Sequence, residues 1–255
     1  MARFFLSRDA MDLAAGVIPI AGDDAHHIAF SLRMAVGDTL TVCDMQKTEY
    51  ACTVTSIKPE LVLLRIDDVH PNSTELPLDI CLYQSLPKGD KMDYIVQKAV
   101  ELGVSSVIPV AGARCIVKLD EKNAQKKVAR WQKIAEEAAK QCGRGIIPHI
   151  GIPVSFAQAI EQGKKTDLPL FCYEGDGTVS LKTVLDDASA RLKIGDAGIS
   201  PTSAIYIGPE GGYDTREVAL AADAGFPSVN LGRRILRCET ASGFVLSCMT
   251  YAFEL

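Results

Sequence analysis

From residue 78 onward the chain alternates short apolar runs with longer amphipathic ones, and this alternation constrains the fold more than any other feature. Strands are expected at Asp79–Ser85, Ser106–Val110, Ile147–Ile150, Leu168–Tyr173, Ala204–Ile207 and Ser228–Leu231. Helices are expected between them, at Lys91–Leu102, Glu121–Gln141, Phe156–Gln162, Leu181–Leu192 and Thr215–Ala224, with a last apolar helix from about Thr240 to the end. Parallel strands need long crossover connections, so the pattern implies an α/β domain with a mostly parallel sheet covered on both faces.

The first 70 residues read as mostly β. After Asp23-Asp24 a short helical stretch puts Ala25, Ile28, Ala29 and Leu32 on one face. Runs with strand character follow at Thr39–Cys43, Tyr50–Ile57 and Leu61–Ile66, separated by turn-forming residues. Short strands with tight connections predict a small antiparallel barrel. The stretch HPNSTELP (70–77) is polar, carries two prolines and lacks periodicity, which makes it the expected domain boundary. The chain then divides into a β-domain over 1–70 and an α/β domain over 78–255, in keeping with 255 residues at roughly 150 per domain.

Composition removes several classes. Apolar residues make up 47% and charged residues 23%, which excludes a disordered chain, a collagen-like chain and a small disulfide scaffold. No window approaches the ~18 consecutive apolar residues a membrane span needs. The N-terminal MARFFLSRDAMD meets charge too early for a secretory signal, so a soluble, unexported protein is expected. The closest two of the eight cysteines lie nine residues apart, leaving no CxxC and no zinc-ribbon spacing. Most sit in apolar contexts as small buried hydrophobes, which fits a reducing cytoplasm. The four histidines form no HExxH or comparable cluster, so no metal is expected.

The net charge of −5 is uneven: residues 1–80 carry −6, residues 81–150 carry +5 and residues 151–255 carry −4. That balance argues against indiscriminate nucleic-acid binding but leaves a local cationic face in the middle third. On the helix expected there, Val128, Trp131, Ala135, Ala138 and Cys142 follow a core-facing spacing. Lys122, Lys126, Arg130 and Lys133 form a second stripe, flanked by Arg114, Lys118, Lys140 and Arg144. The stripe reads either as a solvated helix face or as an RNA contact.

Ligands of open α/β sheets sit beyond the carboxyl ends of the strands. Two loops stand out there. IGPEGGY (207–213) carries paired glycines, which allow close backbone approach or positive φ, and a stiffening proline. It is either a tight strand-to-helix turn or a ligand loop working through backbone and shape. It lacks the lysine and hydroxyl of a P-loop, the chain has no GxGxxG opening a first βα turn, and there is no GxSxG elbow. In LGRRILRCETA (231–241), Arg233, Arg234 and Arg237 flank the apolar Ile235-Leu236 pair. Arg237 pairs with Glu239 in one reading. In the other it faces an anion or carbonyl, while Ile235-Leu236 walls an adenine-sized pocket. Glu239 or Thr240 suits the start of the last helix.

Taken together, LRMAVGD (32–38), KGDKMDYIVQKAVELGV (88–104), WQKIAEEAAKQCGR (131–144), IGPEGGY and LGRRILRCETA resemble, in order and over nearly the whole chain, the bacterial 16S rRNA (uracil-N3)-methyltransferases, the RsmE family of the SPOUT class. The resemblance implies a PUA-like RNA-binding β-barrel domain followed by a SPOUT α/β domain with a C-terminal trefoil knot, and a homodimer. GFVLSCMTYAFEL (243–255), apolar on nearly all sides, suits a helix buried in a core or an interface. The implied cofactor is S-adenosylmethionine, with contacts from Cys172, Tyr173 and Glu174, from Gly208, Pro209, Glu210, Gly211 and Gly212, and from Leu231, Gly232, Leu236, Arg237, Thr240 and Ala241. The basic stripe and its flanks supply Arg114, Lys126, Arg130, Lys133 and Arg144 as the expected RNA contacts, and the resemblance implies 16S rRNA or the small ribosomal subunit as substrate. No side chain stands out as a general base. Arg237 is expected to stabilise negative charge on the uracil oxygens, a role suited to its fixed fork of donors. The rival functions are a SPOUT methyltransferase acting on another base or a ribose 2′-hydroxyl, and a non-catalytic RNA-binding ribosome assembly factor. A dinucleotide-dependent oxidoreductase lacks its glycine fingerprint.

Overall fold

The structure is a computed structural model and describes residues 2–192 and 200–255. It divides into two compact units: Met1–Glu75 with Ala139–Ile147, and Leu76–Ala138 with Pro148–Leu255.

The first unit is a five-stranded sheet in the order β1-β3-β4-β5-β2. The strands are β1 (Arg3–Phe5), β2 (Val17–Ala21), β3 (Thr39–Cys43), β4 (Thr48–Lys58) and β5 (Leu61–Pro71). Alternation along them sends Ile18, Ile20, Leu40, Val42, Tyr50, Cys52, Val54, Val62 and Leu64 inward, where they meet Phe4, Ala25 and Ile28. Ala25 lies on the short helix α1 (Gly22–His26). Register shifts at Ala51/Cys52 and Val54/Ser56 interrupt the β4–β5 ladder, the kind of irregularity that bends a strand and tightens its twist. The sequence gives no sign of β1 or β2: one is three residues long and the other contains Pro19. The ladder expected to form an antiparallel barrel runs as an open path from β1 to β2, and its β1–β3 pair is parallel.

Ala139–Ile147, expected within the α/β domain, packs within the first unit. The reason is a buried ion pair. Arg144 Nη2 lies 2.5 Å from Glu75 Oε2, with the two side chains 3% and 5% exposed. Glu75 Oε1 accepts the backbone N–H groups of Gly145 at 2.8 Å and Ile146 at 3.2 Å. A Cβ on Gly145 would come within 2.7 Å of the Asn72 side chain, so any larger residue there forces Asn72 to shift.

The second unit is an all-parallel sheet in the order β11-β13-β10-β12-β6-β7-β8, with β9 also pairing β7. Its elements in chain order are β6 (Asp79–Ser85), α2 (Lys91–Glu101), β7 (Ser106–Ala111), α3 (Glu121–Cys142), β8 (His149–Ile150), β9 (Val154–Ser155), α4 (Phe156–Gly163), β10 (Leu168–Cys172), β11 (Val179–Ser180), α5 (Leu181–Arg191), β12 (Thr202–Ile207), α6 (Thr215–Asp223), β13 (Ser228–Asn230) and α7 (Cys238–Phe253). Central β12 is buried from Ser203 to Ile207, as a strand covered on both faces must be. A cluster of Tyr83, Phe156, Tyr206 and Phe226 fills the space under α4 and α6, with Tyr83 stacked on Tyr206 at 4.7 Å. Val245, Leu246 and Met249 form the fully buried stripe of α7, while Phe244 and Tyr251 of that helix are exposed. The last helix begins at Cys238, two residues earlier than expected, with Arg237 at its N-cap position. Among the described residues no helix is long and apolar enough to cross a membrane.

This strand order positions the site. The chain lays down β6, β7 and β8 on one side, then places β12 next to β6 and sets β10 and β13 beyond it. The turns that leave the carboxyl ends of β10, β12 and β13 therefore lie side by side.

Candidate active site

Those three turns enclose a cavity of about 990 Å³. Its size suits a small-molecule or cofactor site, for which about 300–1,000 Å³ is usual. Cys172, Tyr173 and Glu174 line it after β10; Gly208, Pro209, Glu210 and Gly212 after β12; and Leu231, Gly232, Leu236, Arg237 and Ala241 from the last loop and α7.

Local physics shapes the walls. Gly212, at φ +67°, donates its N–H to the Pro209 carbonyl at 2.9 Å and closes the turn after β12. A Cβ on Gly208 would press to 3.1 Å on the Tyr213 ring. That ring lies 4.4 Å from Phe171 and anchors the far end of the turn. Asp214 then starts α6 with a reciprocal capping box: its side chain accepts the Arg216 N–H, and Glu217 Oε2 accepts the Asp214 N–H at 2.8 Å. In the last loop Gly232 adopts φ +105°, and its N–H donates to Asn230 Oδ1 at 3.3 Å.

Charge in the site is organised around Lys91. Its ammonium lies 3.0 Å from Glu210 Oε1 and 3.3 Å from Glu239 Oε2, and the Lys88 N–H donates to the same Glu210 oxygen at 3.2 Å. Burial alone would raise the Glu210 carboxyl, but the hydrogen bonds from Lys91 and Lys88 outweigh it and its pKa falls below the ordinary value. Glu239 follows the same pattern: burial acts against ionisation, and its own N–H, the Cys238 thiol and Lys91 reverse it. Hydrogen bonding to Glu210 in turn raises Lys91. Desolvation pushes the thiols of Cys172 and Cys238 up to about 12, so neither is a thiolate nucleophile at neutral pH.

Glu239 is thus committed to Lys91 and does not pair with Arg237. The Arg237 side chain has no hydrogen bond or ion pair among the described residues, and it lines the cavity from an exposed position. Arg233, Arg234 and Ile235 also line it, Ile235 with 84% of its surface exposed. Both residues of the expected Ile235-Leu236 wall line the cavity, Leu236 as the recessed member and Ile235 at its open rim.

Two expected cofactor contacts lie off the cavity. Gly211 faces Arg114, whose Nη1 donates to the Gly211 carbonyl at 3.0 Å, and Thr240 is exposed on the first turn of α7. Of the expected RNA contacts, Lys126 and Lys133 are exposed on α3, and Arg130 is exposed but pairs with Asp93. Arg114 lines the cavity and braces its glycine loop. Arg144 corrects the expectation outright: buried against Glu75, it has no surface to offer RNA. Sequence reasoning missed Lys91, although it lies inside the KGDKM stretch, because nothing in the sequence pairs it with carboxylates 119 and 148 residues away. It also missed Ile207, Tyr213 and Cys238, which line the cavity from within the two quoted loops.

The residues fit S-adenosylmethionine. An adenosyl group needs an apolar slot edged by backbone donors and acceptors, and the glycine turn beside Leu231 and Leu236 has that character. The ligand carries no phosphate, in keeping with a loop that has no P-loop lysine. Among the described residues no group of three His, Cys, Asp or Glu is placed to hold a metal ion.

Comparison with known proteins agrees with this geometry. A family profile described as RNA methyltransferase domain matches residues 74–250, and one described as RNA methyltransferase PUA domain matches residues 20–67. Ribosomal RNA small subunit methyltransferase E of Bacillus subtilis is 34% identical across 100% of this chain and 98% of its own length. The protein of the same description from Synechocystis is 30% identical across 90% of this chain and 71% of its own. Among solved structures, a putative methyltransferase of Legionella pneumophila in complex with bound SAM superposes with a TM-score of 0.82 at 30% identity, covering 99% of this chain and 98% of that one. Ribosomal RNA small subunit methyltransferase E of Neisseria gonorrhoeae, bound to S-adenosyl methionine, gives 0.81 at 29% identity with the same coverage. With a full-length relative at this identity and both domain profiles in place, the chain belongs to the ribosomal RNA small subunit methyltransferase E family.

Proposed function

We propose that the protein is an S-adenosylmethionine-dependent methyltransferase that modifies N3 of a uridine in 16S rRNA, with the free rRNA or the small ribosomal subunit as substrate. The observation that carries the reading is the cavity at the ends of β10, β12 and β13, with an uncommitted guanidinium, Arg237, on its edge. The relatives and the two SAM-bound neighbours support the cofactor and the ribosomal substrate.

Tyr173, Gly208, Gly212, Leu231 and Leu236 would hold S-adenosylmethionine, which would supply an electrophilic methyl group and leave as the neutral thioether S-adenosylhomocysteine. The chain's own work is on the uracil. N3 is a poor nucleophile until it loses its proton, which passes to solvent water, and the resulting charge spreads onto the ring oxygens. Arg237 donates to those oxygens and stabilises the anion, as a preorganised donor does at a developing charge. Glu210 and Glu239, held ionised by Lys91, are weak proton acceptors, so this reading rests on anion stabilisation rather than on a strong carboxylate base. N3 lies on the pairing edge, so the target uridine is unpaired or flipped out, at a cost of about a few kcal/mol.

The reading includes a trefoil-knotted C-terminal segment, a homodimer and a cytoplasmic location. Exposed Phe244 and Tyr251 on α7 and Tyr94 on α2 support the dimer as an apolar surface to cover, and the eight free cysteines support a reducing compartment. Equilibrium dialysis with labelled S-adenosylmethionine tests the core of the proposal. Saturable one-site binding that is lost in Leu236→Glu is expected, and no binding by the wild-type protein would refute it.

A further inference from the structure

The KGDKM stretch has a second consequence. The segment from Leu86 to Met92 is a wall between two cavities. Lys91 faces the large one, while Leu86, Pro87 and Met92 line a separate cavity of about 240 Å³ together with Val117, Lys127 and Trp131. That volume is below the usual range for a whole small-molecule ligand but leaves room for one planar heterocycle. The wall is braced from both sides, because the Lys88 N–H is bonded to Glu210 of the glycine turn and Met92 is buried.

Two charged side chains with no ion pair or side-chain hydrogen bond among the described residues converge on this apolar slot. Asp90 occupies the N-cap position of α2, where an aspartate ordinarily accepts a backbone N–H, yet its side chain makes no cap bond. It lines the small cavity instead. The Lys127 ammonium lies over the Trp131 ring, 5.9 Å from its centroid, with no ion pair among the described residues. Trp131 itself is locked by an Nε1–H bond to Asp93 Oδ1 at 3.0 Å. The slot therefore offers one acceptor, one cationic donor and apolar walls. A nucleobase edge, which carries both donors and acceptors around an apolar ring, matches that set.

We propose that this cavity receives one unpaired base of the RNA flanking the nucleotide being modified, a proposal that rests on the RNA substrate put forward above. Its occupant is RNA rather than a peptide because Lys126 and Lys133 stand exposed on the same helix as Lys127, where they can meet the phosphates on either side of an inserted base. The shared wall sets the two nucleotides close together, one base in the small slot and its neighbour at the mouth of the large cavity. The flanking base then helps hold the target uridine out of a stack.

Trp131 is the chain's single tryptophan, so its fluorescence reports on the slot directly. The experiment titrates the intact protein with a short unstructured oligouridylate, and separately with S-adenosylmethionine by calorimetry. The expected result is a saturable change in Trp131 emission with RNA. Val117→Phe, which fills the slot, should abolish that change and weaken RNA binding about tenfold, the order expected for losing one base contact. Lys127→Ala and Asp90→Asn, both outside the packed core, should each weaken RNA binding several-fold. All three variants should bind S-adenosylmethionine as the wild type does. An unchanged RNA response in Val117→Phe together with unchanged RNA affinity in the two surface variants would overturn the subsite. Wild-type protein that answers to RNA through Trp131 but binds no S-adenosylmethionine would refute the proposed function and leave the subsite standing.

Discussion

Lys91 Nζ, on the first residue of α2, lies 3.3 Å from Glu239 Oε2 in the first turn of α7. Since the same ammonium holds Glu210 at 3.0 Å, one side chain fixes the spacing between the glycine turn after β12 and the loop that enters α7. These are two of the three walls of the cofactor cavity. Lys91→Met should weaken S-adenosylmethionine binding about tenfold by calorimetry, and Lys91→Arg should restore most of it. Equal losses in both variants would show that the ammonium's geometry is not what matters.

The same network sets a pH window. Glu210 and Glu239 have folded pKa values below the ordinary glutamate value of about 4.3, so their contribution to stability is complete above that value. It is lost as pH falls through the lower folded values. Lys91 is raised, so its contribution is complete below about 10.4 and disappears as pH rises through the folded value. Denaturant unfolding between pH 3 and 7 should show the wild type losing stability relative to Lys91→Met at the acid end, with the difference constant near neutrality. A wild-type advantage that persists at the acid limit would contradict the assignment.

Arg237 should separate binding from chemistry. Its neighbour Glu239 is taken by Lys91, so removing the guanidinium leaves no buried charge unpaired. Arg237→Ala is expected to bind S-adenosylmethionine within a few-fold of wild type while single-turnover methyl transfer falls by about 10²–10³, the usual cost of losing one donor to a developing anion. Unchanged turnover would remove Arg237 from the chemistry.

For the α3 stripe, the structure makes the residues unequal. Lys126 and Lys133 are exposed, whereas Arg130 is paired to Asp93. Charge reversal at Lys126 and Lys133 should each flatten the log–log salt dependence of RNA binding by roughly 0.7, the contribution of one single-strand phosphate contact. Reversal at Arg130 should change it less. Identical slopes in all variants would return the stripe to a solvated face.

The Glu75–Arg144 pair tests how the first unit holds its late segment. Removing one partner of a buried ion pair costs about 3–5 kcal/mol, because the other charge is left uncompensated. Glu75→Ala should therefore lower the urea midpoint strongly, and a fragment of residues 1–75 should not fold as stably as one that also carries residues 139–147. Equal stability of the two fragments would show the segment to be dispensable.

Much of this was legible in the chain because local rules and tertiary demands agree. Thr39–Cys43 and Asp79–Ser85 form where their apolar patterning puts them, and Glu121–Gln141 ends one residue short of the observed helix. IGPEGGY announced itself by its paired glycines, of which Gly212 adopts a positive φ, and LGRRILRCETA by three arginines beside an apolar pair. What stayed hidden depends on partners far away in sequence. Arg144 looks like any cation of a basic run until Glu75 buries it. Lys91 looks like an ordinary first-turn lysine until Glu210 and Glu239 close on it. The parallel β1–β3 pair involves three residues too few to show a period.

The most direct test of the central claim is incubation of the protein with methyl-labelled S-adenosylmethionine and small ribosomal subunits from a strain lacking this enzyme, followed by mass spectrometry of the nucleosides. The expected result is stoichiometric label in 3-methyluridine from 16S rRNA, formed about 10²–10³-fold more slowly by Arg237→Ala. Label in a ribose methyl or another base, or no label in RNA, would contradict it.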